Sequence, residues 1–284
     1  MAGHTYQVRV AQRHELDTML QWAAEEGWNP GLHDAASFHA ADSGGFLIGL
    51  LNEEPIASIS VVRYGADYGF LGLYIVKPEH RGRGYGLRIW NAGLEHLGNR
   101  AVGLDGVVAQ QDNYRRSGFS PAHRNIRHQG TASSCAIAPD PGITPLSRVA
   151  PRLILDYDRA FFPSGRDAFL QGWLSQPDAQ AVGLMREDRL TGYGVARPCQ
   201  AGYKIGPLFA DTPEGAASLL GALCQRLPLD SPVFLDIPET HDAAMSLAQK
   251  LGMAPMFETA RMYKGNPDPP AMDRTYGITT FELG

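Results

Sequence analysis

The sequence predicts an α/β protein built on a mixed sheet, with two domains of similar design in tandem. Short apolar runs of strand character alternate with segments of helical periodicity. The order of these elements in the first half of the chain returns in the second half. With 284 residues and 44% hydrophobic content, the chain is long enough for two domains, each with a sufficient core.

The first half alternates strand and helix patterns around one apolar run, residues 70–76 (FLGLYIV). Alternation of apolar and polar residues indicates strands, and apolar residues at helical spacing indicate helices. We expect strands at residues 6–11, 45–51, 56–63, 70–76, 101–108 and from 119 onward, and helices at 14–26, 34–41, 87–97 and 112–116.

A tract rich in Ser, Thr, Pro and Gly separates the halves. It spans residues 127–150 and is typical of a linker, so we predict domains at 1–130 and 131–284. In the second half we expect broken helix at 152–174, strands at 181–186, 190–197, 203–209 and 233–237, helices at 213–227 and 241–251, and strand-like segments at 257–263 and 278–283.

A glycine-rich loop follows the central strand. Pro78 ends the strand, the loop RGRGYG occupies residues 81–86, and Leu87, Ile89, Trp90 and Leu94 then recur at helical spacing. Glycines at the start of a helix favour phosphate binding, because unpaired backbone N–H groups and the helix dipole face an anion that can approach closely. The arginines of the loop add charges that pair with phosphate oxygens.

Three known loop types have this general form. A P-loop requires Lys-Ser/Thr after its last glycine, but Leu87 and Arg88 follow Gly86. A dinucleotide loop requires a third glycine where Leu87 stands, and it follows its strand more tightly. The third type fits: Arg81-x-x-Gly84-x-Gly86 after a V-x-P strand exit resembles the acyl-CoA loop of the GNAT superfamily of N-acetyltransferases.

This resemblance implies a binding mode for acetyl-CoA. The central strand would splay from its neighbour at its C-terminal end, and the gap would hold the pantetheine arm. The strand end would pair with pantetheine, and the loop would hold the pyrophosphate. The cofactor-binding residues implied in this way are Ile75, Val76, Arg81, Gly82, Arg83, Gly84, Tyr85, Gly86 and Leu87.

A second motif, Asn113 to Phe119 (NYRRSGF), resembles the Tyr-x-x-x-Gly-Phe element of the same family. The resemblance implies that the Tyr114 hydroxyl protonates the leaving thiolate, although a packing tyrosine is the alternative. The family usually has an asparagine seven residues earlier, where this chain has Val107.

The second half lacks the arginine–glycine loop. The corresponding stretch, residues 208–215 (LFADTPEG), has one glycine and two acidic residues, which would repel a phosphate. The GWNPG loop at 27–31, the YKIGPL strand at 203–208 and the YGITTFELG tail at 276–284 resemble the tandem-GNAT subgroup. The C-terminal domain would then be a degenerate partner that shapes a pocket or an interface, or is purely structural.

The sequence identifies the residues that would bind the acceptor less clearly than those that would bind acetyl-CoA. Trp28 is expected either to line the substrate pocket or to pack at a helix end. Asp105 is a candidate base with a turn-capping alternative, and Tyr203 is a candidate substrate contact from the second half. The general base is not identified. The histidines lack metal-ligand spacing, so we expect no metal.

The composition argues against some classes of binding partner and indicates a cellular compartment. The net charge of −5, without blocks of like charge, argues against nucleic acid or an anionic membrane as the partner. Three separated cysteines form no disulfide framework. The first residues, MAGHTYQVRV, lack the apolar core of a signal peptide. We expect a cytoplasmic protein, monomeric or homodimeric.

The function that we expect is acetyl transfer from acetyl-CoA to a small-molecule amine by direct attack in a ternary complex. The alternatives are a non-catalytic acyl-CoA-binding regulator and an acetyltransferase of protein lysines or N-termini. A dinucleotide oxidoreductase is a more distant alternative.

Overall fold

The computed structural model describes residues 5–135, 137–138 and 140–284. Residues 1–4, part of the segment on which the signal-peptide expectation rests, lie outside this range. The α-helices are α1 (Glu15–Glu25), α2 (Asp34–Ala41), α3 (Tyr85–Leu97), α4 (Gln111–Arg116), α5 (Pro151–Asp158), α6 (Asp167–Leu174), α7 (Pro213–Cys224) and α8 (Asp242–Lys250). Within the described residues, no helix is long and apolar enough to cross a lipid bilayer.

The strands follow the expected order closely. They are β1 (Tyr6–Val10), β2 (Phe46–Leu51), β3 (Glu54–Tyr64), β4 (Tyr68–Val76), β5 (Ala101–Val107), β6 (Ser120–Thr131), β7 (Ile143–Pro145), β8 (Gln180–Arg186), β9 (Arg189–Pro198), β10 (Tyr203–Ala210), β11 (Pro232–Pro238), β12 (Ala254–Lys264) and β13 (Thr275–Gly277).

All of these strands belong to one continuous sheet. Its order is β1-β2-β3-β4-β5-β12-β6-β11-β10-β9-β8-β7, and β13 pairs with β10 beside this path. The pairs β4–β5 and β10–β11 are parallel, whereas their neighbours β3–β4 and β9–β10 are antiparallel. The predicted α/β class with a mixed sheet is confirmed.

The two halves exchange strands at the centre of the sheet. β12 comes from the second half but pairs with β5 of the first half, and β6 pairs with both β12 and β11. The proposed boundary after residue 130 falls at the end of β6, and the sheet continues across it. The division into 1–130 and 131–284 stays a prediction. The expected linker at 127–150 is wrong at two places, since β6 extends to Thr131 and β7 lies inside the tract.

The first half has an open gap in its sheet. β4 and β5 pair from Tyr68↔Ala101 to Leu71↔Leu104, and beyond that point they diverge. A register shift against β3 occurs between Ser58 and Ser60, where Leu73 takes a positive φ of 44°. The splay implied by the family resemblance is therefore present at the C-terminal end of β4.

The second half has a corresponding gap, which the chain itself fills. β10 and β11 pair only as far as Ile205↔Leu235. Beyond that point β13 pairs with β10 through Leu208↔Gly277, and the Ile278 N–H donates to the Asp236 carbonyl oxygen of β11 at 2.9 Å. The strand-like segment expected at 278–283 is wrong: the strand lies at 275–277, because those residues are the ones beside β10.

The C-terminal tail, residues 275–284, then crosses to the first half. The Tyr64 hydroxyl donates to the Leu283 carbonyl oxygen at 3.2 Å, and Arg166 of the second half holds the chain end by donating to the Gly284 carbonyl oxygen at 3.2 Å. The tail lies so close to β4 that a Cβ at residue 72 would be 2.2 Å from the Glu282 carbonyl oxygen. Gly72 therefore permits the tail to lie across β4.

We predict that Gly72→Ala lowers the free energy of unfolding by about 1–3 kcal/mol, because the backbone of the tail cannot move aside as a flexible side chain can. Urea denaturation measures this change. The matched control is Gly165→Ala, whose Cβ would meet only one atom, at 3.9 Å. Equal stability of the two variants would contradict the proposed contact between tail and strand.

Candidate active site

A cavity of about 480 Å³ occupies the open gap between β4 and β5. It extends from the glycine-rich loop before α3 to the tail, so that both halves of the chain contribute to its wall. Its lining residues are Glu26, Trp28, Leu71, Gly72, Leu73, Tyr74, Ile75, Val76, Arg81, Gly82, Gly84, Gly86, Leu87, Leu104, Asp105, Gly106, Val107, Gln110, Tyr114, Phe257, Thr259, Phe281 and Glu282.

The loop delivers the N-terminus of α3 to one end of this cavity. Gly82 and Gly84 have positive φ angles of 73° and 83°, which other residues adopt with strain. Gly84 is the N-cap residue, and no side chain caps the helix. The first-turn N–H groups of α3 therefore remain available to an anion.

Most of the predicted cofactor-binding residues lie on the cavity. Ile75 and Val76 line it from the end of β4, and five residues line it from the loop: Arg81, Gly82, Gly84, Gly86 and Leu87. Arg83 and Tyr85 are not among the lining residues. Arg83 is exposed, whereas the Tyr85 ring packs 4.8 Å from the Tyr6 ring, between ring centroids.

Arg81 fixes the loop instead of projecting freely into solvent. Its Nε donates to the Val76 carbonyl oxygen at 2.8 Å, and its Nη2 pairs with the Glu26 carboxylate at the end of α1. These bonds hold the loop against both the strand end and α1, so its geometry is set before any ligand arrives.

Tyr114 lies on the cavity wall next to the splayed strand end. Its ring packs 5.6 Å from the Trp90 ring and covers Gly106, where a Cβ would be 2.1 Å from a Tyr114 ring carbon. Burial raises the pKa of Tyr114 to about 12. The phenol is therefore protonated at neutral pH and can donate a proton into the cavity.

The Asp105 carboxylate is fully engaged by neighbouring side chains. Arg261 donates to both of its oxygens, at 2.8 and 2.6 Å, and the Asn125 amide donates to Oδ1 at 2.8 Å. Asp105 lines the cavity, but its hydrogen bonds tie β5 to β12 and β6. Among the described residues, its side chain makes no hydrogen bond that caps a turn.

Three aromatic side chains from outside the predicted motifs also line the cavity: Trp28, Phe257 and Phe281. Buried Arg127 supports this aromatic wall from behind. Its guanidinium donates to the Trp28 carbonyl oxygen at 2.9 Å and lies 5.7 and 4.8 Å from the Phe257 and Phe281 rings. Asp236 balances its charge through two bonds, of 2.7 and 2.8 Å.

Tyr203 does not reach the cavity. It is half-buried at the start of β10 and packs against the C-terminal core. The next residue, Lys204, does contribute indirectly, because its Nζ donates to the Trp28 carbonyl oxygen at 3.2 Å. The sequence reasoning missed Phe257, Phe281, Glu282 and Arg127, since no local motif marks them.

Among its described residues, the second half presents no comparable loop. Only two residues separate the end of β10 at Ala210 from the start of α7 at Pro213. The Thr212 hydroxyl caps the helix by accepting from the Gly215 N–H at 3.1 Å. The start of α7 and the gap between β10 and β11 therefore both find hydrogen-bond partners within the chain itself. In the described part of the protein, no group of three or more His, Cys, Asp and Glu side chains is arranged to hold a metal.

Comparisons with known proteins agree with this geometry. The family model "Acetyltransferase (GNAT) family" matches residues 13–119, and the model "Acetyltransferase (GNAT) domain" matches residues 154–277. The holothin acyltransferase of Pseudoalteromonas sp. (strain SANK 73390) is 30% identical over 280 residues, covering 99% of this chain and 95% of that protein. The chain belongs to the GNAT family. It is a tandem GNAT acyltransferase.

Solved structures share the fold of this GNAT protein over nearly its whole length. A candidate acetyltransferase from Pyrococcus horikoshii has a TM-score of 0.83 at 21% identity, covering 100% of this chain and 98% of the other. The tandem GNAT protein from the clavulanic acid biosynthesis pathway has a TM-score of 0.66 at 12% identity, with coverages of 93% and 100%. Two GNAT-like halves in one chain are therefore an arrangement found in other proteins.

Proposed function

We propose that this GNAT acyltransferase transfers the acetyl group of acetyl-CoA to the amine of a small molecule, by direct attack in a ternary complex. The observation that carries this proposal is the continuity of one cavity, which runs from the N-terminus of α3, through the β4–β5 gap, to Tyr114. The relative named holothin acyltransferase supports an acyl-transfer reaction.

The cofactor's diphosphate would lie against the N–H groups at the start of α3, and its pantetheine arm would lie along residues 75–76. Gly84 leaves open space there, since a Cβ at residue 84 would meet nothing within 4 Å. The thioester would then point towards Tyr114 and the aromatic wall. In this proposal residues 1–130 form the acetyl-CoA domain, and residues 131–284 form the degenerate partner that completes the pocket.

Direct attack is favoured by the residue types on the wall. Among the described lining residues there is no cysteine, the side chain that is the strongest nucleophile for carrying an acyl group. The leaving thiolate instead takes a proton from Tyr114, whose raised pKa keeps that proton in place until negative charge develops on sulfur.

A small acceptor is favoured by the aromatic side chains on the cavity wall. The tail and β12 contribute Phe281 and Phe257 to that wall. A small amine with a flat apolar body packs well against such rings. We also propose a cytoplasmic monomer or homodimer, whose three free cysteines, Cys135, Cys199 and Cys224, fit a reducing compartment.

We predict that Gly84→Leu lowers the affinity for acetyl-CoA at least tenfold, because its side chain fills the space required by a phosphate at the start of α3. Isothermal titration calorimetry measures the affinity. Gly98→Leu is the matched control: it lies at the other end of α3, has a positive φ of 62° and also faces open space. Equal affinities for the two variants would contradict the loop assignment.

We predict that Tyr114→Phe lowers kcat by roughly 10²- to 10⁴-fold, because the thiolate then leaves without a positioned acid. The affinity for acetyl-CoA should stay within about twofold of the wild-type value. Thiol release measured with an aromatic amine gives kcat. Tyr203→Phe is the control, since that hydroxyl is lost outside the cavity, and its rate should be unchanged. A Tyr114→Phe variant with the full rate would remove Tyr114 from the mechanism.

A further inference from the structure

The loop that carries Trp28 is bonded to the second half of the chain. It joins α1, which ends at Glu25, to α2, which begins at Asp34. Connections between helices are usually among the more mobile parts of a domain, because few of their backbone groups have fixed partners. In this loop the backbone groups of residues 28–32 have partners around the turn from β9 to β10, at residues 198–204.

Asn29 joins the loop to that turn through its side chain. The amide nitrogen donates to the Ala201 carbonyl oxygen at 3.0 Å, and the amide oxygen accepts from the Ala201 N–H at 2.8 Å. Asn29 has a positive φ of 53°, which asparagine and glycine tolerate better than other residues. One residue therefore turns the chain after Trp28 and also fixes that turn to the second half.

Backbone hydrogen bonds extend this contact beyond Asn29. The Gln200 N–H donates to the Pro30 carbonyl oxygen at 3.3 Å, and the Leu32 N–H donates to the Pro198 carbonyl oxygen at 3.0 Å. We call this pairing of residues 29–32 with residues 198–201 the cross-half contact. It gives the loop the kind of backbone partners that a strand has in a sheet.

Trp28 itself is held at its carbonyl oxygen by two basic side chains. Arg127 of β6 donates to this oxygen at 2.9 Å, and Lys204 of β10 donates at 3.2 Å. The two donors are only 2% and 4% exposed, so they are fixed by the packing of the sheet. The backbone at Trp28 is therefore tied to the sheet just before the cross-half contact begins.

The far end of the loop is held in a similar way at Asp34, which is fully buried. Its Oδ2 accepts from the Gly31 N–H at 2.8 Å and lies 3.5 Å from Nη1 of Arg197 in β9. The Gln176 amide donates to its Oδ1 at 3.3 Å. Side chains of the second half therefore hold both ends of the segment that follows Trp28.

The same contacts set the position of Trp28 relative to the other aromatic residues of the cavity. The Arg127 guanidinium, which bonds the Trp28 carbonyl oxygen, lies 5.7 Å from the Phe257 ring and 4.8 Å from the Phe281 ring. Phe257 and Phe281 belong to the second half, and all three aromatic residues line the cavity. Trp28 is thus registered against rings that come from the other half of the chain.

We propose that Asn29 and Lys204 are positioning residues for the acceptor: by fixing the Trp28 loop to the second half, they hold Trp28 where it selects acceptor amines with a flat apolar body. This inference rests on the proposed function and deepens it. The second half would then determine acceptor choice through a loop of the first half. A wall that is already ordered costs less to bind against than a loop that must be ordered by the substrate.

The arrangement separates acceptor selection from cofactor binding. Asn29 is not among the residues that line the cavity, and its side-chain bonds go to Ala201. The glycine-rich loop is held elsewhere, by the bonds of Arg81 to Val76 and Glu26. Loss of the cross-half contact should therefore change the acceptor parameters and leave acetyl-CoA binding as it is.

The first arm of the test compares 2-phenylethylamine with 2-cyclohexylethylamine, which have the same amine and side-chain length but differ in the flatness of the ring. Thiol release gives kcat and KM for each amine with acetyl-CoA. We expect the wild type to prefer the flat ring in kcat/KM by about fivefold or more. Preference for the cyclohexyl amine would overturn the inference while leaving the proposed function intact.

The second arm uses Asn29→Gly, which deletes both side-chain bonds to Ala201 and keeps the positive φ accessible. We expect KM for 2-phenylethylamine to rise about threefold to tenfold and the preference for the flat ring to fall, with kcat and acetyl-CoA affinity within about twofold of wild type. The matched control is Asn52→Gly. Asn52 also has a positive φ, of 51°, and its side chain accepts from the Thr5 N–H at 3.1 Å, outside the cavity lining. Wild-type selectivity in Asn29→Gly would overturn the inference.

A double-mutant cycle with Trp28→Ala distinguishes positioning from a general structural role. Trp28→Ala should lose the preference for the flat ring, and Asn29→Gly should cause no further loss in that background, because it acts through Trp28. Additive losses in the double variant, or an equal loss of acetyl-CoA affinity in Asn29→Gly, would contradict the proposed role.

Two further results are decisive. If Asn29→Gly fails to fold, as a melting curve would show, hydrogen exchange of the wild type decides: protection of the Leu32 and Ala201 amides equal to that of β9 supports the fixed loop, and exchange at the rate of an unstructured chain overturns it. If the wild type binds acetyl-CoA but releases no thiol with any anilines, arylalkylamines or cycloalkylamines, the proposed function fails and this inference fails with it.

Discussion

The structure depends on how the C-terminal tail fills one of two equivalent gaps in the sheet. Both parallel strand pairs, β4–β5 and β10–β11, separate at their C-terminal ends. Backbone groups exposed by such a separation need partners. In the second half, β13 and Ile278 supply them. In the first half no strand of the described residues enters, and the open edge of β4 lies on the cavity.

The same tail connects the filled gap with the open one. After pairing with β10 it passes Gly206, where a Cβ would lie 2.4 Å from the Thr279 carbonyl oxygen, and then crosses β4 at Gly72. These two close approaches fix the path of residues 279–282. Phe281 and Glu282 thereby reach a cavity whose loop, strand and tyrosine come from the other half. The degenerate half thus completes the pocket without presenting a second glycine loop of its own.

Much of the first half could be predicted from the sequence because its signals are local. The strand end, the loop with Gly82 and Gly84, and the start of α3 follow one another within a few residues. Each of these features requires particular residue types, and those types are rarely needed for other structures. Tyr114 belongs to a similarly short motif. Most of the element order of the second half followed in the same way from periodicity, but β7 was not expected, and the last strand lies at 275–277 instead of 278–283.

The remaining features depend on pairing between distant segments, which local patterns do not specify. The insertion of β12 between β5 and β6 follows from register and side-chain packing across the two halves. The tail forms strand β13 because it fills the gap between β10 and β11, which lie far from it in the sequence. For the same reason Glu282 and Phe257 were missed, and Tyr203 was placed near a site that it does not reach.

A crystal structure with bound acetyl-CoA tests most directly the central claim that the cofactor occupies the open gap of the first half. We expect the diphosphate at residues 82–87, pantetheine between β4 and β5, and β13 still paired with β10. Coenzyme A between β10 and β11, with residues 275–278 displaced, would contradict it.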